Sequence, residues 1–161
     1  MADATLEPTD ILTGAQKDLE IVGYKRKFAG DFAVLNYQWI EEFFAVEAED
    51  RAALDFPERY AIDRGGQIFF ILDCSGGAEK VIGTAAMVPK KHVVKSTATS
   101  PHKFSISDPV EVFELAKMAV SPQRQGEGLG KWLLQHCIAY AVERGAKQVI
   151  LTPNDVLKPA L

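Results

Sequence analysis

A chain of 161 residues with 47% hydrophobic composition suits one globular domain with a substantial core. Its formal net charge of −4 and pI of about 5.4 give no general electrostatic ground for a nucleic-acid or membrane-surface partner. Two cysteines far apart, Cys74 and Cys137, argue against a disulfide framework, and with His92, His102 and His136 they form no metal-ligand spacing.

Residues 1–16 read as a flexible polar arm, without the basic and apolar regions of a signal peptide; the domain is assigned to 17–161. No apolar run is long enough to span a bilayer, so a cytoplasmic protein is expected. "DLEIVGYKRKF" reads as a first strand. "GDFAVLNYQWIEEFFAVE" repeats Phe32, Leu35, Trp39, Phe43 and Val46 at helical spacing, with Asp31 as the expected N-cap. "EAEDRAALDFPERYAIDRGG" is a shorter helical region, interrupted before Pro57 and ended by Gly65 and Gly66. Its acids and those just before it, among them Glu42, Glu49, Asp50, Asp55 and Glu58, form either a solvated face or an attractor for a cationic amine.

"QIFFILD" and "KVIGTAAMV" form a hairpin about the turn "CSGGAE", and Gly83 marks a bulge or a close backbone approach. The stretch 89–109 is rich in Ser, Thr, Pro and Lys, and reads as a solvated loop, a short hairpin or a mobile flap. "VEVFELAKMAV" is a central strand ended by Pro122. "GLGKWLLQHCIAYAVERG" is an amphipathic helix with Leu129, Leu133, Cys137 and Ala141 on one stripe and Leu134, Ile138 and Val142 beside it. Arg144 and Gly145 are set to close that helix. "KQVILT" is one more strand, which makes a mixed α/β domain.

Between the central strand and that helix lies "SPQRQGEGLGK", with Gly126, Gly128 and Gly130 at alternate positions. Glycine destabilises a helix start, so a backbone approach is implied there. The first turn of a helix offers free N–H groups and a positive dipole end, and glycines clear the way for a phosphate. Neither nucleotide motif fits. A Walker loop needs Ser or Thr where Trp132 stands, and the dinucleotide fingerprint needs glycine where Lys131 stands.

Gln125-x-x-Gly128-x-Gly130 matches the Q/R-x-x-G-x-G/A signature of the GNAT superfamily of acyl-CoA-dependent N-acyltransferases. "ELAKMAVSPQRQGEGLGKWLL" resembles its central strand, pyrophosphate loop and following helix, and the likeness extends over most of Leu19 to Leu161. The resemblance implies a central twisted mixed sheet flanked by helices, with the fourth and fifth strands splayed around acetyl-CoA. It assigns the backbone of Met118, Ala119 and Val120 to the pantetheine arm. The pyrophosphate falls to Gln125, Gly126, Gly128, Leu129, Gly130 and Lys131, with Arg124 and Lys131 as charge partners, and Asn154 falls near the pantetheine. No metal is involved.

The implied chemistry moves an acetyl group from thioester sulfur to a primary amine of a small molecule or peptide. A base must first free the nitrogen lone pair. Glu114 lies on the strand where the histone-acetylating branch carries its glutamate, and its other reading is an ion-pair partner, for example of Lys117. The Met118 N–H is where the family places the donor to the thioester oxygen. The superfamily continues past the segment resembling "LKPAL" with a tyrosine-bearing helix and two strands, whereas this chain stops at Leu161. The domain is therefore expected to be incomplete at that end, and its open strand edge to invite pairing, as in a homodimer. A non-catalytic acyl-CoA-binding module is the alternative to the enzyme, and a structural protein without a ligand is the third reading.

Overall fold

Alternating apolar residues in five short segments build one sheet, and two helical layers cover its faces. The computed structural model describes residues 18–90 and 110–151. Its elements in chain order are β1 (Leu19–Val22), α1 (Ala29–Phe43), α2 (Ala48–Asp55), α3 (Pro57–Tyr60), β2 (Gln67–Asp73), β3 (Lys80–Pro89), β4 (Val112–Val120), α4 (Leu129–Glu143) and β5 (Gln148–Leu151). The strands lie in the order β1-β2-β3-β4-β5. The first four pair antiparallel, and β4 pairs parallel with β5 from Val112↔Gln148 to Leu115↔Leu151. This is a mixed α+β architecture. The arm at 1–16, most of the Lys-rich stretch (91–109) and the segment carrying Asn154 lie outside the described residues.

Strand alternation divides the core in two. Phe69 and Ile71 of β2, Met87 of β3 and Phe113 and Leu115 of β4 pack under α4 through Leu133 and Cys137. Ile68, Phe70 and Leu72 point the other way and meet Phe32 of α1 and Leu54 of α2. Phe32 and Phe70 are wholly buried, and each contributes on the order of 2–3 kcal/mol of burial.

Two expectations need correction. Asp31 is not the N-cap: a 3₁₀ turn at Arg26–Phe28 runs directly into α1, so Phe28 holds that position. Asp31 falls in the first turn, where its charge still suits the dipole. On α4 the buried stripe is Leu129, Trp132, Leu133, Cys137 and Ala141, while Ile138 and Val142 are exposed. Leu134 is partly buried against the same cluster. Trp132 joins the stripe on the N-terminal side, and Ile138 and Val142 lie on the open face.

At Gly83 both expected readings hold. The β2–β3 register shifts between Ile71 and Leu72, and a Cβ on Gly83 would lie 2.9 Å from Ile71 Cδ1. Gly145, in the left-handed region at φ 77°, closes α4 as expected. Beside it Arg144 donates to the Gly65 carbonyl at 3.0 Å and lies over the Phe113 ring, so it ties the helix end to the turn that enters β2.

Candidate functional site

A second bulge shapes the site. The β3–β4 register runs Thr84↔Ala119 and then Ala86↔Ala116, so Lys117 and Met118 together oppose Ala85. Lys117 takes φ 52°, the one non-glycine left-handed residue among those described. Such strain persists only where the surroundings hold it in place. Here the hold is visible. The Lys117 ammonium, its side chain only 10% exposed, lies 2.7 Å from Asp50 Oδ1 on α2.

Asp50 in turn accepts from the Glu47 N–H at 2.9 Å, closing the capping box that starts α2. Burial pushes the Asp50 carboxyl up, but the hydrogen bonds from Lys117 and the Glu47 amide outweigh it and leave the pKa lowered. The bulge also shifts the alternation. Glu114 and Ala116 share the α2 side, while Met118 and Val120 sit in the core under α4. The extra residue sends Lys117 to the α2 side, where alternation alone would have buried it beneath α4.

Beyond the bulge, β4 ends at Val120, and Pro122–Arg124 form a 3₁₀ turn leading to the glycines. Gly126 and Gly128 adopt φ 85° and 80°, and a Cβ on either would meet nothing within 4 Å. Glycine is needed for the backbone conformation, and the space above both positions is open. Gly128 is the N-cap of α4, a helix of 15 residues, so the loop amides and the dipole's positive end meet there. Leu129 and Gly130 are buried, whereas Gln125 and Lys131 are exposed.

Arg124 is already engaged. Its guanidinium lies 2.6 Å from Asp73 at the end of β2 and forms a two-pronged pair with Glu127 at 2.7 and 3.1 Å. Hydrogen bonds from the Ser75 hydroxyl and amide, then from Arg124, hold Asp73 down to about 2. Arg124 thus pins the loop to the sheet, and Lys131 is left as the exposed cation at the glycines.

A small cavity joins the strand end to this loop, with Met118, Ala119, Val120 and Gln125 on one side and Leu35 and Trp39 of α1 on the other. The Trp39 indole N–H is buried and has no hydrogen-bond partner among the described residues. Sequence reading had placed Trp39 merely on an apolar stripe.

A second cavity, of about 300 Å³, opens on the α2 side of β4. Glu114 lines it with Lys117, Lys90, Arg64, Tyr60 and Glu49. The Glu114 carboxylate pairs with the Lys90 ammonium at the end of β3 and is 20% exposed. The ion-pair reading of Glu114 finds a partner in Lys90. Three of the acids read as a possible attractor have other work: Asp50 holds Lys117, Asp55 accepts from Tyr37 at 2.7 Å, and Glu58 pairs with Arg26 at 3.0 Å. Glu49 is the member of that group lining this cavity.

Sequence reasoning missed Lys90, Arg64 and the Lys117–Asp50 pair. A signal for Lys117 was present, since one lysine inside "ELAKMAV" interrupts an apolar run. Nothing in the sequence joins Lys90 to Glu114 across the intervening stretch. No group of three His, Cys, Asp or Glu side chains suited to a metal occurs among the described residues. Cys74 and Cys137 are free, and burial pushes the Cys137 thiol up to about 12, which makes it an inert packing group. No described helix is long and apolar enough to cross a membrane.

A family model described as the acetyltransferase (GNAT) family matches residues 33–160. Among solved structures, a predicted acetyltransferase from Clostridium acetobutylicum, crystallised with acetyl-CoA, superposes with a TM-score of 0.63 at 14% identity. The match covers 88% of this chain and 85% of that one. A GNAT-family acetyltransferase from Staphylococcus aureus Mu50 gives 0.62 at 18% identity over 83% and 72% of the two chains. An acetyltransferase from Streptococcus agalactiae gives 0.59 at 20% identity over 84% and 73%. No curated protein sequence matches significantly.

Proposed function

The chain belongs to the acetyltransferase (GNAT) family, and on that premise we propose that it carries an acetyl group from acetyl-CoA to a primary amine of a small molecule or peptide. The observation that carries this reading is the continuity of the bulged strand end with the open glycine loop, joined through one cavity. The residues fit an acyl-CoA. The loop amides from Gln125 to Lys131 and the α4 N-terminus suit a pyrophosphate, and Lys131 adds an exposed positive charge. The backbone of Met118, Ala119 and Val120 suits a pantetheine arm lying alongside as an added strand. The unpartnered Trp39 N–H offers a donor to the same ligand. Asn154 is kept as a further contact from the sequence reading. Solution of one fold neighbour with acetyl-CoA supports the choice of acyl donor.

Bound acyl-CoA supplies the thioester; the chain's residues prepare the amine. Glu114, facing the larger cavity, takes one proton from the incoming ammonium and frees the nitrogen lone pair. Because Lys90 already holds that carboxylate, the cationic amine has to displace or share Lys90's place. The Met118 N–H, set by the bulge, is assigned to the charge that grows on the carbonyl oxygen. Net, one C–S bond breaks and one C–N bond forms. Of the two protons the ammonium loses, one leaves through Glu114 and the other ends on the coenzyme's sulfur.

The Glu114–Lys90 pair also favours the alternative, an acyl-CoA-binding module without turnover, since an ammonium already occupies the carboxylate the base would use. Glu114→Gln separates the two. The enzyme reading expects turnover at neutral pH to fall roughly a hundredfold or more with coenzyme A affinity kept. Unchanged turnover removes Glu114 from the mechanism. Coenzyme A binding with no transfer to any amine, in the wild type, establishes the alternative.

A further inference from the structure

The larger cavity has a charge pattern that a simple cationic amine does not use. Three cations, Arg64, Lys90 and Lys117, face two anions, Glu49 and Glu114, in its wall. Asp50, Asp55 and Glu58 of the helical region are engaged by Lys117, Tyr37 and Arg26, and Glu49 is the member of that group in the wall, so cations outnumber anions there.

Two of the cations differ from the third. Lys117 is held by Asp50 beneath the surface, and turning to a ligand would take the ammonium away from that largely buried carboxylate. Arg64 is exposed, and its guanidinium donates to two backbone carbonyls, Tyr60 O at 3.5 Å and Pro89 O at 3.4 Å. These are long, neutral contacts, which a carboxylate would readily replace with a charge-assisted pair. The second places the guanidinium next to residue 90, whose ammonium holds Glu114. Arg64, Lys90 and Glu114 therefore share the wall of one cavity, two cations with one carboxylate.

We infer that the acceptor is an amino carboxylate: a small molecule bearing an amine and a carboxylate together. This rests on the proposed transferase reading. The amine goes to Glu114, and Lys90, displaced from Glu114, turns with Arg64 to the carboxylate. Each group of the ligand takes over a partner that the other releases: the amine takes Glu114, and the carboxylate takes the exposed Lys90 ammonium. A bare amine would displace Lys90 and return its half-exposed ammonium to water, with no new ion pair gained. The volume of about 300 Å³ lies at the small end of ligand pockets, and suits a molecule of amino-acid size better than a protein tail.

The test uses the chain as it stands and matched pairs: tyrosine and tyramine, histidine and histamine, phenylalanine and phenethylamine, lysine and cadaverine. Saturation-transfer NMR reads binding in the presence of coenzyme A, and thiol release from acetyl-CoA reads transfer. At least one amino acid should bind, with kcat/KM about tenfold or more above its decarboxylated partner. Arg64→Gln should reduce that preference to within about threefold, mainly through KM, with Arg64→Lys recovering part of it. Coenzyme A affinity should be unaltered in both variants. A protein that binds coenzyme A and acetylates decarboxylated amines as well as or better than the amino acids overturns the inference and leaves the transferase reading standing. Amino-acid binding lost in Arg64→Gln, in a protein that transfers nothing, supports the pocket assignment and counts against the transferase. Coenzyme A binding with no amino acid bound also overturns the inference.

Discussion

Trp39 carries a buried donor that has no partner among the described residues. An unmade hydrogen bond of this kind costs about 1–3 kcal/mol, and an acceptor on a ligand in the adjoining cavity would relieve it. Its ring is already packed, 4.3 Å from the Phe43 ring centroid, so the apolar part of the side chain has its own function. Trp39→Phe removes the donor and keeps an aromatic. Lost packing and the relief of the orphaned N–H should offset to within about 1 kcal/mol in a thermal melt without ligand. Coenzyme A affinity should fall roughly fivefold, read by calorimetry. A large loss of stability with affinity unchanged would make Trp39 a packing residue only. Glu114 poses the complementary problem, since its partner is present before any ligand arrives; its engagement with Lys90 is why substrate charge enters the account at all.

At the scale of elements, the Lys117–Asp50 pair joins α2 to the bulge in β4. It links the helix that borders the larger cavity to the strand segment assigned to the acyl group. Asp50 does two things at once: it neutralises a buried ammonium, and it closes the capping box of α2. Asp50→Ala loses both and should destabilise the domain by about 3 kcal/mol or more, seen as a lower denaturant midpoint. Adding Lys117→Met to that variant removes the stranded charge and should recover most of the loss. No recovery would mean that the cap, and not the ion pair, governs this corner. Arg124 does similar work for the loop, binding it to Asp73 of β2 and to Glu127. The same guanidinium, expected as a charge partner for a pyrophosphate, is here engaged by two carboxylates.

Across the whole molecule, most of the architecture was legible from residues 19–151. The α4 stripe of Leu129, Leu133, Cys137 and Ala141 has strict helical spacing, and all four are buried. The β2–β3 hairpin was readable from "QIFFILD" and "CSGGAE", and the glycine loop from three glycines placed where helix propensity opposes them. What escaped were features without a local signal. Lysine has no preference for φ 52°, so the β4 bulge could not be seen, and with it the turn of Lys117 toward α2. The 3₁₀ turn before α1 carries no cap residue, so Asp31 drew the assignment. The Lys90–Glu114 pair arises because β3 and β4 are neighbours in register, a tertiary fact.

All of these features serve one claim, that an acyl-CoA lies on the Gln125–Lys131 loop and along the end of β4. The most direct measurement is calorimetric titration of coenzyme A into the wild type and Gly128→Val, with melts of both. At φ 80°, valine costs about 1 kcal/mol or more in backbone strain, and its branched side chain fills the open space over the amides. The account predicts binding by the wild type, a modest drop in the melt, and affinity at least about tenfold weaker in a variant that remains folded. Equal affinity in the two folded proteins, or no binding by the wild type, would contradict it.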